Sequence, residues 1–217
     1  QLCESSGVVY PALHEVAPRD LEALQDRLSF PVLIKPSRIH DIKAEMAGKK
    51  GWVAQNLEEF AQVSQIIPGH AGKLLVQEIV TGPESEITLF TAYFDGQGGV
   101  HQPFTCRKLR QFPPGFGSAS LVISEDEPET REIAERLLCD IGFRGIAAAE
   151  LKRDPVTGQR KMIEINPRPS LWFSVSTASG KSVALAAYCD LTRAMAMPQE
   201  QPQENGVLWR YPLKDSY

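Results

Sequence analysis

Apolar residues recur along this chain in two periods. Residues 18–28, PRDLEALQDRL, space Leu21, Leu24 and Leu28 as a helix would. EPETREIAERLLCDIG sets Ile133, Leu137, Leu138 and Ile141 along one stripe of another helix. LEEFAQVSQII is a third, opened by Asn56 and Glu59 in the spacing of a capping box, and KSVALAAYCDLTRAM a fourth. Between them lie runs of strand character: FPVLIKP, ended by Pro36, then GWVAQ and KLLVQEIV. SEITLFTAYFD, GGVHQPFTCRKLR and SASLVIS follow, then GIAAAELKRD and RKMIEINP joined by PVTG, a hairpin signal; VLWRYPL reads as a last short strand. The pattern predicts an α+β chain with a small lobe over residues 1–80 and a larger, mostly antiparallel lobe over 81–217. Residues 37–50, SRIHDIKAEMAGKK, are polar and basic without a period and read as a mobile loop. The opening QLCESSG reads as the tail of a helix capped at Gly7 and, without an initiator methionine, as the start of a fragment.

Composition narrows the classes. The 217 residues suffice for one large domain or two lobes sharing a core. A formal net charge of −4 argues against a general nucleic-acid binder, which would carry a basic stripe. The four cysteines are scattered and form no CxxC pair, so neither zinc nor a disulfide framework is expected, and a reducing cytoplasm fits. No apolar run reaches bilayer length and no signal-peptide pattern opens the chain, so the sequence predicts a cytoplasmic protein with no membrane partner.

The chemistry gathers at KMIEINPRPS, where Glu164 and Asn166 share one strand face and Ile163 and Ile165 the other. Folding the hairpin at PVTG brings Glu150 opposite position 163 or 164, depending on register. Two carboxylates and an amide oxygen are hard ligands that suit Mg²⁺, which fills its shell with phosphate and water oxygens. A divalent cation also removes the repulsion of a carboxylate pair. From spacing alone, an ordinary hairpin with a solvated polar face is the better explanation. Lys35, at a strand end beside the basic loop, could meet phosphate, although a lone lysine is usually just solvated. LLVQEIVTGPESEI places Glu78 and a chain turn where backbone and carboxylates could meet adenine and ribose. CRKLRQFPPGFGS supplies Arg107, Lys108 and Arg110, a set that a solvated basic face explains equally well.

In this order, FPVLIKPS, LLVQEIVTGPESEITLF, GIAAAELKRDPVTGQRKMIEINPRPS and STASGKSVALAAYCDL resemble the ATP-grasp superfamily over nearly the whole chain. The last two segments look like the metal-binding hairpin and following helix of carbamoyl phosphate synthase large-chain domains. RKLRQFPPGFGS is more like carboxylate–amine ligases related to D-aspartate ligase. The resemblance implies an ATP-grasp fold, with two α+β lobes and MgATP (or MnATP) between them. It implies Lys35 on the phosphates, the hinge Glu78, Ile79 and Val80 around adenine, and Glu86, or less readily Glu84, on ribose. Glu150, Glu164 and Asn166 would be the metal ligands, and Arg168 would meet phosphate or an acyl phosphate. Arg107 and Lys108 join Arg168 as candidate catalytic cations, and Arg110 joins the nucleotide contacts. The implied reaction is ligation of a small-molecule carboxylate to an amine, or to a thiol, through an acyl phosphate. Two other readings stand beside it: bicarbonate phosphorylation like that of carbamoyl phosphate synthase, and a non-catalytic nucleotide-binding or interaction module. Two departures from the family pattern are visible. The loop at 37–50 lacks a glycine run, and the family's first nucleotide-binding Lys or Arg would precede Gln1 in an N-terminal domain of the same chain. Nothing in the sequence fixes the oligomeric state.

Overall fold

The computed structural model of the chain describes residues 2–38, 46 and 51–215. The loop expected at 37–50 therefore lies, apart from residues 37, 38 and 46, outside the described residues. The chain opens with one helical turn, α1 (Leu2–Ser5), and Gly7 follows at φ +60°. Glycine adopts that left-handed conformation at no steric cost, which lets Val8 donate its amide back to the Cys3 carbonyl at 2.8 Å.

Packing divides the chain into two units, Pro11–Thr81 and a larger one made of Gln1–Tyr10 with Gly82–Tyr217. The first ten residues thus group with the larger unit rather than the smaller. In the smaller unit, β1 (Leu13–Val16), β2 (Val32–Pro36), β3 (Trp52–Ala54) and β4 (Leu74–Glu78) form a sheet in the order β1-β4-β2-β3. All of its neighbouring strands are antiparallel. Alternation along β2 and β4 buries Val32, Ile34, Leu74 and Val76 in one core with Phe60 of α2 (Leu57–Ile66). Asn56 caps α2 as the sequence predicts, accepting the Glu59 amide at 3.0 Å, while the Glu59 carboxylate reaches back to the Gln55 amide at 2.8 Å. Residues 18–28 are not the expected α-helix but two 3₁₀ turns, Pro18–Asp20 and Glu22–Arg27. A three-residue turn also stacks positions i and i+3, so Leu21 and Leu24 still reach the core.

The larger unit holds β5 (Ile87–Phe94), β6 (Val100–Phe112), β7 (Ser118–Ser124), α3 (Pro128–Asp140), β8 (Gly145–Arg153), β9 (Arg160–Asn166), α4 (Ser174–Ala178), α5 (Val183–Thr192) and β10 (Leu208–Arg210). Its antiparallel sheet runs β10-β7-β6-β5-β8-β9. All eight residues of β5 are buried because helices cover both faces. Phe90, Ala92 and Phe94 pack on Ala134, Leu137 and Leu138 of α3. On the other face Leu89 packs with Trp172 and Val175, and Tyr93 with Val183 and Ala186. Each of these apolar contacts removes area from water worth roughly 25 cal/mol per Å².

One irregularity positions the chemistry. Between β8 and β9, Leu151 pairs with Met162 and Glu150 with Glu164, leaving Ile163 unpaired in a β-bulge. The extra residue reverses the alternation. Met162 and Ile165 both pack on the α3 side with Leu151, while Glu164 turns to the other face. Without the bulge, strict alternation from Met162 would point Glu164 at α3.

Candidate functional site

Glu150 and Glu164 are direct cross-strand partners, and Asn166, opposite Ala148, shares their face. The β8–β9 hairpin that aligns them is fixed at its turn by Asp154. Its carboxylate accepts the Val156 amide at 2.8 Å and pairs with Lys161 at 2.8 Å, and the Lys161 bond lowers the Asp154 pKa to about 2.

Lys108 approaches from β6 on the same face, since Leu89 of β5 pairs with Cys106 on one side and Glu150 on the other. Its side chain is 2% exposed, and Nζ donates to Glu150 Oε2 at 2.6 Å. Removing one partner of such a buried pair leaves an uncompensated charge, typically costing ~3–5 kcal/mol. Neighbouring Cys106 is wholly buried, and burial pushes its thiol well above the usual range. Lys152, two residues beyond Glu150 on that face, donates to the Gly82 carbonyl at 2.8 Å, and burial lowers its pKa. The sequence reading missed Lys152, although alternation along GIAAAELKRD carried the signal.

The other predicted residues sit as follows. Arg107 does not join this group. Strand alternation sends it to the α3 face, where it donates to Glu125 at 2.6 Å and Glu127 at 2.7 Å. Arg160 reaches the same Glu127 at 2.6 Å and Thr88 at 3.1 Å. Arg107 is thus engaged in an ion-pair network on that face. Arg110 grips Asp215 through two bonds of 2.6 and 2.7 Å, and Arg210 adds a third at 2.7 Å. That grip, with Arg110 first, holds the Asp215 carboxyl at about 2 and occupies the guanidinium expected on nucleotide. Arg168 is exposed and bonds the Pro169 carbonyl at 3.1 Å. Glu84 accepts three hydrogen bonds from Gln111 and Gly115 at the β6–β7 turn, whereas the Glu86 amide donates to the Pro83 carbonyl at 3.2 Å.

In the smaller unit, Lys35 Nζ donates to Gln77 Oε1 at 3.1 Å. The hinge is spoken for in part. The Glu78 amide donates to Ala12 and its carboxylate accepts the Ala12 amide at 3.0 Å, while the Ile79 amide donates to the Pro31 carbonyl at 2.8 Å. Val80 is buried, 5% exposed.

Among the described residues, no three His, Cys, Asp or Glu side chains cluster as metal ligands. The donor set is therefore two carboxylates and an amide, which fits a cation that takes most of its shell from phosphate and water oxygens. Among the described residues, no helix is long and apolar enough to cross a membrane.

No family model matches the chain. It is 25% identical over 194 residues to D-aspartate ligase from Enterococcus faecium (strain Aus0004), covering 85% of this chain and 46% of that protein. Its fold superposes on the ADP complex of an N5-carboxyaminoimidazole ribonucleotide synthetase with a TM-score of 0.69, at 14% identity over 95% of this chain and 52% of the other. Biotin carboxylase from Campylobacter jejuni, in its beta-gamma-ATP complex, gives a TM-score of 0.68 at 17% identity, covering 96% and 48%. The chain spans about half the length of these relatives. Sequence order, sheet topology and these likenesses agree: the chain has the α+β fold of the ATP-grasp superfamily.

Proposed function

We propose that this chain is the MgATP-binding portion of an ATP-dependent carboxylate–amine ligase that works through an acyl phosphate. The observation that carries the reading is the Glu150–Glu164 cross-strand pair with Asn166 beside it and the buried Lys108 ammonium on Glu150. The D-aspartate ligase relative supports an amine as the acceptor.

Glu150, Glu164 and Asn166 would hold Mg²⁺, which when bound neutralises charge on the transferring phosphoryl group. Arg168, on the same unit, would supply further positive charge to the phosphates. Glu86 takes the ribose, because Glu84 is already committed to the β6–β7 turn. A substrate carboxylate oxygen attacks the γ-phosphorus as the bond to ADP breaks. The amine nitrogen then attacks the acyl carbon, losing a proton and expelling phosphate. Phosphoryl transfer of this kind asks the protein mainly to position and to neutralise charge.

The test is titration calorimetry of ADP with and without Mg²⁺. Wild type should bind more tightly with Mg²⁺, and Glu164→Ala should lose that gain while unfolding at the same temperature. Equal affinity for ADP with and without Mg²⁺ in the wild type sinks the reading. Release of ADP from ATP that depends on an added carboxylate, with phosphate and amide formed only when an amine is present, checks the ligase step.

A further inference from the structure

Glu84 lies in the 3₁₀ turn Glu84–Glu86 ahead of β5. Its Oε1 accepts Gln111 Nε2 at 3.0 Å and the Gly115 amide at 2.8 Å, and its Oε2 accepts the Gln111 amide at 3.1 Å. Every partner is a donor, so both Glu84 oxygens serve as acceptors. Donation from Nε2 fixes which way the Gln111 amide points and turns its Oε1 toward Lys108 Nζ, 3.4 Å away. Lys108 in turn donates to Glu150 Oε2. All four side chains belong to one unit and form one chain of donors and acceptors that ends on the carboxylate facing Glu164.

We infer that Glu84, acting through Gln111 and Lys108, positions the Glu150 carboxylate for a divalent cation. The inference rests on the MgATP reading above. A buried ammonium has three protons to place and tolerates few orientations. With Gln111 Oε1 taking a share, Lys108 engages Glu150 through Oε2 and does not close over the whole carboxylate. Glu84 is therefore a positioning residue, set apart from the nucleotide by the side chains it orders. Nothing in the local sequence announces this, because Glu84 and Gln111 stand 27 positions apart and meet only through the β5–β6 pairing.

The experiment compares Glu84→Gln and Gln111→Met with the wild type. ADP binding is measured by calorimetry with and without Mg²⁺, alongside thermal unfolding. Both single variants should keep wild-type affinity for ADP alone and lose roughly tenfold of the gain that Mg²⁺ brings, the scale of one charge-assisted hydrogen bond. An unchanged Mg²⁺ gain in both single variants overturns the inference, as does an equal loss of ADP binding without Mg²⁺, which would mark a direct nucleotide contact. If Glu84→Gln fails to fold, Gln111→Met alone decides. If wild type shows no Mg²⁺ gain, the MgATP reading itself falls and takes the inference with it.

Discussion

At the scale of single residues, the two neighbours Arg107 and Lys108 show how one strand serves two purposes. Alternation sends their side chains to opposite faces, one into a network with Glu125 and Glu127 and the other onto Glu150. Arg107→Ala should therefore cost stability, about 1–3 kcal/mol for the carboxylates left short of a partner, and leave Mg²⁺-dependent ADP binding unchanged. Denaturant unfolding and calorimetry on the same preparation check this, and a loss of binding without loss of stability would return Arg107 to the site. The sequence could show that Arg107, Lys108 and Arg110 form a basic run, and that Glu150, Glu164 and Asn166 have the chemistry of ligands. It could not show which cations were already taken. Arg110's partner, Asp215, lies 105 residues further on, and no local period connects the two.

At the scale of elements, strand and helix positions were largely legible, because amphipathic stripes and alternation are local properties. The exact facing of the hairpin was not. Its register rested on whether position 163 or 164 met Glu150, and the bulge at Ile163 decides it through side-chain packing of Met162 and Ile165 against α3. Likewise the turn at 111–118 is tied by Glu84 at Gln111 and Gly115, contacts no local period announces. The edge strand β10 is held in another way. It pairs with β7 through only three residues, and Asp215 just beyond it is clamped by Arg110, Arg210 and, at 3.3 Å, Ser120. The folded pKa of Asp215, about 2, lies below the ordinary unfolded value near 4, so the clamp adds stability that is complete above the unfolded value and vanishes as pH falls through the folded one. Protection of the Trp209 and Tyr211 amides against exchange should fall between about pH 4 and pH 2. Asp215→Asn should show the same loosening at pH 7, whereas slow exchange at pH 7 in that variant would count against the clamp.

At the scale of the whole molecule, the described apolar clusters each lie within one unit: one in Pro11–Thr81, three in the larger unit. Separate cores imply separate melting, with the smaller unit, whose size gives it less buried surface per residue, opening first. The tryptophans report on this independently, Trp52 from the smaller unit and Trp172 and Trp209 from the larger. Unfolding followed in variants keeping one set or the other should give two midpoints, and a single coincident transition would show that the units melt as one. The route of the chain carries a further consequence. It enters the smaller unit through β1 and leaves through β4, and these strands are antiparallel neighbours, with Leu13 opposite Gln77. The two ends of the smaller unit therefore lie side by side, with the Glu78 amide donating to the Ala12 carbonyl at 2.8 Å. As genetic material, residues 11–81 are a cassette with adjacent ends, which can be excised, exchanged or permuted without cutting any strand of the sheet that carries Glu150 and Glu164.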